Sequence, residues 1–302
     1  MKVLKYIGVA LLFLVAIISC KNDDGGANTV ELRDRAEEAV AAQDEIELFL
    51  ETHFYNYEAF ENPAEGFDYQ IVFDTIAEEN ADKIPLIEQV ESKTVQDRLE
   101  EGVEYTLYYL NVRQGGGESP NFPDIVLNSY RGQLINDDNA LQLFDESVVP
   151  LRFDLTSVVN GYQDAIIEFN GAESFTENQD GSITFNDYGV GAVFIPSGLG
   201  YFATTQPGIP SYSQLIFTFR LYTVQEGDQD GDGIPSIIED LNGNGIEEDD
   251  DTDNDGTPNF IDTDDDGDGI PTANEIIIED DGSITFPDSD NDGTPNYLDS
   301  DS

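Results

Sequence analysis

The stretch GAVFIPSGLGYFATTQPGIPSYSQLIFTFRL, residues 191–221, decides how the middle third of this chain is read. Its end, LIFTFRL at 215–221, places Leu215, Phe217, Phe219 and Leu221 on one face of a strand, because strand side chains alternate with period two. Its beginning, AVFIP at 192–196, is a short apolar run that Pro196 stops. The loop between them is rich in Gly, Pro and Ser and carries Tyr201 and Ile209. Two strands joined by a long loop that holds aromatic and apolar groups make a wall for an apolar pocket.

Composition bounds the rest of the chain around that wall. A chain of 302 residues has room for two domains and linker. The formal net charge of −52 excludes nucleic acid as a partner, since phosphate binding needs clustered Lys and Arg. No Lys or Arg follows Arg220, while Asp and Glu crowd the chain from Asp228 onward. With 39% hydrophobic residues, 18 Phe and 14 Tyr, a core is expected upstream of that acidic tail. The one His, His53, has no thiol partner for a catalytic dyad, because the one Cys is Cys20. His53 sits among Phe54, Tyr55 and Tyr57 and reads as a packing residue.

Residues 1–19 carry Lys2 and Lys5, then an apolar run, then Ser19 before Cys20. This is a secretory signal too short for a membrane span. The ending IISC resembles a bacterial lipobox, which implies that Cys20 becomes an acylated N-terminus; an ordinary signal peptide with an incidental Cys is the alternative. Residues 20–29 lack periodicity and read as a flexible tether. The resulting expectation is a cell-envelope protein, lipid-anchored to the outer membrane and facing the periplasm or the exterior.

Residues 30–103 read as an N-terminal α+β extension packed on the domain C-terminal to it. Helix formers run through 30–52 with Ala36, Val40, Ile46, Leu48 and Phe49 at helical spacing. Short strands are expected at 69–73 and 86–90. Then YTLYYLNV at 105–112 reads as a strand and RQGGGESP at 113–120 as a turn.

Four further elements precede the 191–221 stretch: the strand IVLNSYRGQL at 125–134 with a glycine kink, LFDES at 143–147, an alternating strand at 151–155, and the helix opening VVNGYQDAI at 158–166. Taken in this order, with the PGIP and LIF of 191–221, they resemble FKBP-type peptidyl-prolyl isomerases. The resemblance implies an α+β fold for residues 104–224, an antiparallel sheet wrapped on one short helix. It implies a proline pocket lined by Tyr130, Phe144, Leu151, Val158, Val159, Tyr162, Tyr201, Ile209 and Phe217, with the Asp145 carboxylate at its edge. It also implies that the Val159 N–H and the Tyr201 hydroxyl receive substrate carbonyls. Tyr162 stands where the family usually has Trp, Leu151 where Phe is usual, and Phe202 where Gly is usual. Without the resemblance, the same aromatics read as the core of a small antiparallel sheet.

Residues 225–302 repeat the pattern D-x-[DN]-x-[DN]-G five times. The first loop offers Asp228, Asp230, Asp232 and Glu239, and the second Asp240, Asn242, Asn244 and Asp251. The third reuses Asp251 and adds Asp253, Asp255 and Asp262. The fourth offers Asp264, Asp266, Asp268 and Glu275, and the fifth Asp288, Asp290, Asp292 and Asp299. Positions one, three, five and twelve are those of an EF-hand loop, where Gly at six makes the turn and oxygens suit Ca²⁺ better than Mg²⁺. The G-I-P or G-T-P that follows most loops makes the tail resemble thrombospondin type 3 repeats. A disordered acidic spacer is the alternative. The hexapeptide DGSITF occurs twice, from Asp180 and from Asp281.

Together these readings lead to two expectations. One is an exported, lipid-anchored isomerase of X-Pro bonds in other exported polypeptides, with structural Ca²⁺ in the tail and no cofactor for catalysis. The other is a calcium-dependent surface binding or spacer lipoprotein whose FKBP-like fold turns over weakly or not at all.

Overall fold

Strand-forming residues dominate the middle of the chain, and a computed structural model places them in one six-stranded sheet. The structure describes residues 32–302, which cluster as one compact unit. The expected signal peptide at 1–19, Cys20 and the whole tether at 20–29 lie outside the described residues. In chain order the elements are α1 (Arg35–Thr52), β1 (His53–Tyr55), α2 (Tyr57–Glu61), β2 (Phe73–Thr75), β3 (Glu91–Gln96), β4 (Glu104–Arg113), β5 (Ile125–Ile135) and β6 (Leu141–Asp154). After these come α3 (Asn160–Ile166), β7 (Ser174–Glu177), β8 (Ile183–Asn186), β9 (Gly189–Ile195), β10 (Leu215–Gln225), β11 (Ile277–Ile278) and β12 (Ile284–Thr285).

The main sheet has the order β3-β4-β9-β10-β5-β6, with every pair antiparallel. The fold is therefore α+β, with few helices. One face carries Leu215, Phe217, Phe219 and Leu221 of β10, which pack with Tyr162, Ala165 and Ile166 of α3. The alternation of 215–221 thus faces the one short helix. The other face is also buried: Ile216, Phe194, Val190 and Ala192 meet Ile46, Phe49 and Leu50 of α1, together with Ile71 and Leu86. A sheet covered on both faces needs apolar residues at successive positions, which is why all seven residues of β9 are buried.

Three local expectations differ from the structure. On α1 the buried residues are Glu38, Ala42, Ile46, Phe49 and Leu50, whereas Val40 and Leu48 are exposed. The helix has apolar residues on more than one side, and contact with the sheet selects the stripe. The Glu38 carboxylate inside that stripe accepts a bond from Ser197 Oγ at 3.0 Å and pairs with Arg33 at 2.7 Å. The strand expected at 69–73 is instead β2, at Phe73–Thr75. The strand expected at 86–90 is a 3-10 turn, Leu86–Glu88, entered from Pro85 and burying Leu86; the strand starts at Glu91 as β3. Thus the main sheet takes its edge strand from within residues 30–103.

The two DGSITF copies share one local structure. Asp180 Oδ1 accepts from the Ser182 N–H and Oγ–H at 3.0 and 2.7 Å, and Asp281 does the same with Ser283 at 3.1 and 2.7 Å. Each following Gly, at φ +84°, turns the chain into a two-stranded hairpin, β7-β8 and β11-β12. The repetition is that of a hairpin turn.

The acidic tail is ordered around short 3-10 turns and a small apolar cluster of Ile234, Ile276 and Tyr297, with Ile284, Phe286 and Leu298 against it. It bonds to the body through Gly227 N–H on Asp124 at 3.1 Å, and through Gln163 Nε2 on Glu247 at 3.1 Å.

Candidate functional site

The front face of the sheet opens between β5, β6, α3 and the β9–β10 loop into a cavity of about 600 Å³. Eight of the residues singled out in the sequence line it: Tyr130, Phe144, Asp145, Val158, Val159, Tyr162, Tyr201 and Phe217. The sheet register explains the meeting. Phe219 lies opposite Tyr130 and Phe217 opposite Gly132, so both rows share the front face. Gly132 is required there, since a Cβ would sit 2.6 Å from the Phe144 ring and 2.9 Å from that of Phe217. The rings pack edge to face or tilted, with Phe217 5.5 Å from both Phe144 and Tyr162 and 6.3 Å from Tyr130.

Two expected lining residues stand elsewhere. Leu151 lies 42% exposed on β6, outside the cavity lining. Ile209 is buried in the adjoining core and likewise does not line the cavity. The reason in β6 is a pair of register shifts against β5, one of them between Asn128 and Tyr130, which sets Phe153 rather than Leu151 beside the aromatic cluster. Phe153 stands 5.1 Å from Tyr130 and 6.0 Å from Tyr162. The alternation of 151–155 contained both residues but could not say which one reaches inward. Arg152, Asp154 and Ser157 also reach the cavity lining, and no motif in the sequence had marked them.

Polar groups at the rim and floor have distinct surroundings. The Tyr130 hydroxyl donates to Asp145 Oδ2 at 2.5 Å; burial and that carboxylate push the phenol up to about 12. The Tyr162 hydroxyl, deep in the floor, accepts from Asn128 Nδ2, and burial raises its pKa far above the usual tyrosine range. Asn128 is fully buried and supplies the partner that a floor Tyr needs and a Trp would not need in that place. The Tyr201 hydroxyl has no hydrogen-bond partner among the described residues, and burial raises its pKa. The Val159 N–H is likewise unbonded among the described residues, at the N-cap of α3. Next to Tyr201, Phe202 adopts φ +47°, the left-handed region that favours glycine. Its ring is held by Tyr212 at 5.1 Å and by the Arg35 guanidinium at 4.2 Å, which offsets a conformational cost of about 1–2 kcal/mol.

The tail supplies a second kind of site. In each of the five loops the position-six glycine has positive φ, from +77° at Gly245 to +107° at Gly293. In each loop the position-five side chain accepts from the N–H two residues on, as Asp232 does from Ile234 at 2.7 Å and Asp268 from Ile270 at 2.6 Å. These turns aim side-chain oxygens inward. Carboxylate oxygens lie within 4.8 Å of one another in four groups: Asp230, Asp232, Glu239 and Asp265; Asp251, Asp253 and Asp255; Asp264, Asp266 and Asp268; Asp288, Asp290 and Asp292. Asp228, Asp262, Glu275 and Asp299 stand outside these groups, and the second loop, Asp240, Asn242 and Asn244, forms none. In that loop Asp240 accepts from three backbone N–H groups and both Asn side chains donate to Asp249.

Many of these oxygens are buried without a hydrogen-bond partner, including Asp230, Asp232, both oxygens of Glu239 and both of Asp265. Burial, reinforced by neighbouring carboxylates, pushes Glu239 up to about 9 and Asp265 up to about 8. An oxygen-rich group of that kind fits a hard divalent cation, which would satisfy the orphan oxygens and cancel their repulsion.

No curated protein matches the chain. The family described as BamM C-terminal matches residues 229–287. Among solved structures, a peptidyl-prolyl cis-trans isomerase from Pseudomonas syringae pv. tomato is 18% identical, over 62% of this chain and 96% of that one, with a TM-score of 0.34. FkpA from Escherichia coli is 24% identical over 66% of this chain and 76% of that one, with a TM-score of 0.34. The three FKBP domains of wheat FKBP73 are 18% identical over 45% of this chain and 50% of that one, with a TM-score of 0.32. Among the described residues, no helix is long and apolar enough to cross a membrane.

Proposed function

We propose that the chain is a peptidyl-prolyl cis-trans isomerase. The observation that carries this reading is the convergence of Tyr130, Phe144, Tyr162 and Phe217 on one cavity whose rim offers two unused donors, the Tyr201 hydroxyl and the Val159 N–H. An X-Pro bond turns slowly because rotation breaks amide resonance, over a barrier of ~18–20 kcal/mol. The reaction needs no nucleophile. It needs an environment that holds the proline ring and prefers the twisted amide, whose carbonyl has lost conjugation. The rings take the pyrrolidine. The Val159 N–H and the Tyr201 hydroxyl orient the flanking carbonyls, and the Tyr130–Asp145 bond fixes the rim. The clients are exported, proline-containing polypeptides if the lipobox reading of Cys20 holds, with the protein anchored by lipid in the cell envelope. In the tail, residues 225–302, the carboxylate loops hold structural Ca²⁺.

The test is turnover of proline tetrapeptides by the full chain in calcium. Isomerisation faster than the uncatalysed rate, reduced about tenfold or more by Phe144→Ala, is expected. No acceleration on any of several peptides would remove the enzyme label. A second reading is favoured by Tyr162 in place of the family's usual Trp: a fold that binds proline peptides with little turnover. It predicts measurable peptide affinity without acceleration.

A further inference from the structure

The first tail loop is closed by a residue that does not belong to it. Asp265 sits at position two of the fourth loop, a position outside the repeat's own ligand pattern. Its carboxylate oxygen nevertheless shares one 4.8 Å group with those of Asp230, Asp232 and Glu239 from the first loop. Glu239 and Asp265 are each 1% exposed, and all four of their carboxylate oxygens lack a hydrogen-bond partner.

The other loops show why Asp265 is free to do this. Position two normally pairs with position nine of its own loop. Gln229 accepts from Ser236 Oγ at 2.5 Å, Thr252 Oγ1 from Asn259 at 2.9 Å, and Ser289 Oγ from Asn296 at 2.9 Å. In the fourth loop only the backbone half of that pair is kept, Asp265 N–H donating to Thr272 Oγ1 at 3.1 Å. The carboxylate is released and turns to the first loop. Neither Asp265 nor its three neighbours forms an ion pair among the described residues, and no Lys or Arg follows Arg220. Four carboxylates, three of them buried, gathered without a cation repel one another unless something else neutralises them.

We propose that Asp265 completes a cross-loop Ca²⁺ site with Asp230, Asp232 and Glu239, tying the first repeat to the fourth. The inference rests on the reading of the tail as calcium-binding. Oxygens on opposite sides of a Ca²⁺ held at ~2.4 Å are ~4.8 Å apart, which this group satisfies. It is the one group of the four with a ligand from a distant loop and with three of its members buried. The ion therefore fastens two segments whose ligands, Glu239 and Asp265, are separated by 265 − 239 = 26 positions. The single-loop groups at 251–255, 264–268 and 288–292 fasten only their own turns.

Calorimetric Ca²⁺ titration of the full chain tests this. Wild type is expected to show one site tighter than the rest. Asp265→Asn should weaken that site about tenfold or more and leave the others unchanged. Asp290→Asn should affect a weak site only. Tyr297, buried within electrostatic reach of Asp265 and Glu239, gives a second readout: tyrosine-sensitised Tb³⁺ emission, displaced by Ca²⁺, should fall in Asp265→Asn. If Asp232→Asn weakens the tight site and Asp265→Asn does not, the cross-loop ligand is wrong and the calcium reading stands. If wild type binds no Ca²⁺ at millimolar concentration, the calcium reading itself fails and takes the inference with it.

Discussion

The aromatic cup and the acidic tail hold their functional groups by opposite means. In the cup, Phe217 and Tyr162 stay in place because apolar area leaves water on both faces of a six-stranded sheet. In the tail, the apolar cluster is small, and the carboxylates are aimed by glycine turns and side-chain-to-backbone bonds. On the proposed reading the cup takes a ligand that brings no charge and the tail takes one that brings two; the tail's loops carry buried carboxylate oxygens with no hydrogen-bond partner. A pocket made by burial tolerates removal of ions; a site made of turns does not.

The largest test of that contrast is Phe217→Ala. It should cost about 3–5 kcal/mol in chemical denaturation and abolish isomerisation, while the tail's calcium titration keeps its stoichiometry. Chelation is the converse. Each site at free calcium 100-fold above its Kd contributes about 2.7 kcal/mol, so EDTA should expose residues 225–302 to proteolysis while β4, β9 and β10 keep their hydrogen-exchange protection. Equal loss of protection in both regions would break the contrast. Within the cup, Asn128→Ala leaves the Tyr162 hydroxyl buried and unpaired, for a cost of about 1–3 kcal/mol, read from the denaturation midpoint. Tyr201→Phe removes one donor to the substrate and should lower kcat/KM about two- to tenfold without moving the melting temperature.

The smallest effect concerns pH. Tyr130, raised to about 12 by burial and Asp145, keeps its proton in the folded state where the unfolded phenol, near pH 10, loses it. Its stabilisation is therefore complete below about pH 10 and is lost as pH rises toward 12. Activity should stay level from pH 7 to 10 as far as this group is concerned, and a fall below pH 9 in wild type that Tyr130→Phe abolishes would contradict the assignment.

Much of this molecule was legible in order along the chain. Strand periodicity places Leu215, Phe217, Phe219 and Leu221 on one face of their strand, and Tyr130 and Gly132 on one face of theirs, from local alternation alone; the register between the two strands makes those faces the same one. The five tail loops were equally readable, since a turn depends on residues a few positions apart. Other features were not. Val40 and Leu48 of α1 look as apolar as Ile46, and only the sheet they could pack on selects among them. Leu151 and Phe153 have the same alternation, and the register shift near Asn128 decides which one meets Tyr162. Asn128 reads as a polar residue in a strand until its partner is known.

By itself, the sequence determined the alternation of the strand at 215–221 and the glycine turns of the five tail loops. Each of these is set by torsions and bonds between near neighbours. The tertiary structure decided that α1 covers the back of the sheet, that Phe153 displaces Leu151 at the pocket, and that Asp265 turns to the first loop. Those choices depend on contacts between segments tens of residues apart, where packing and charge act across space and no local pattern records the partner.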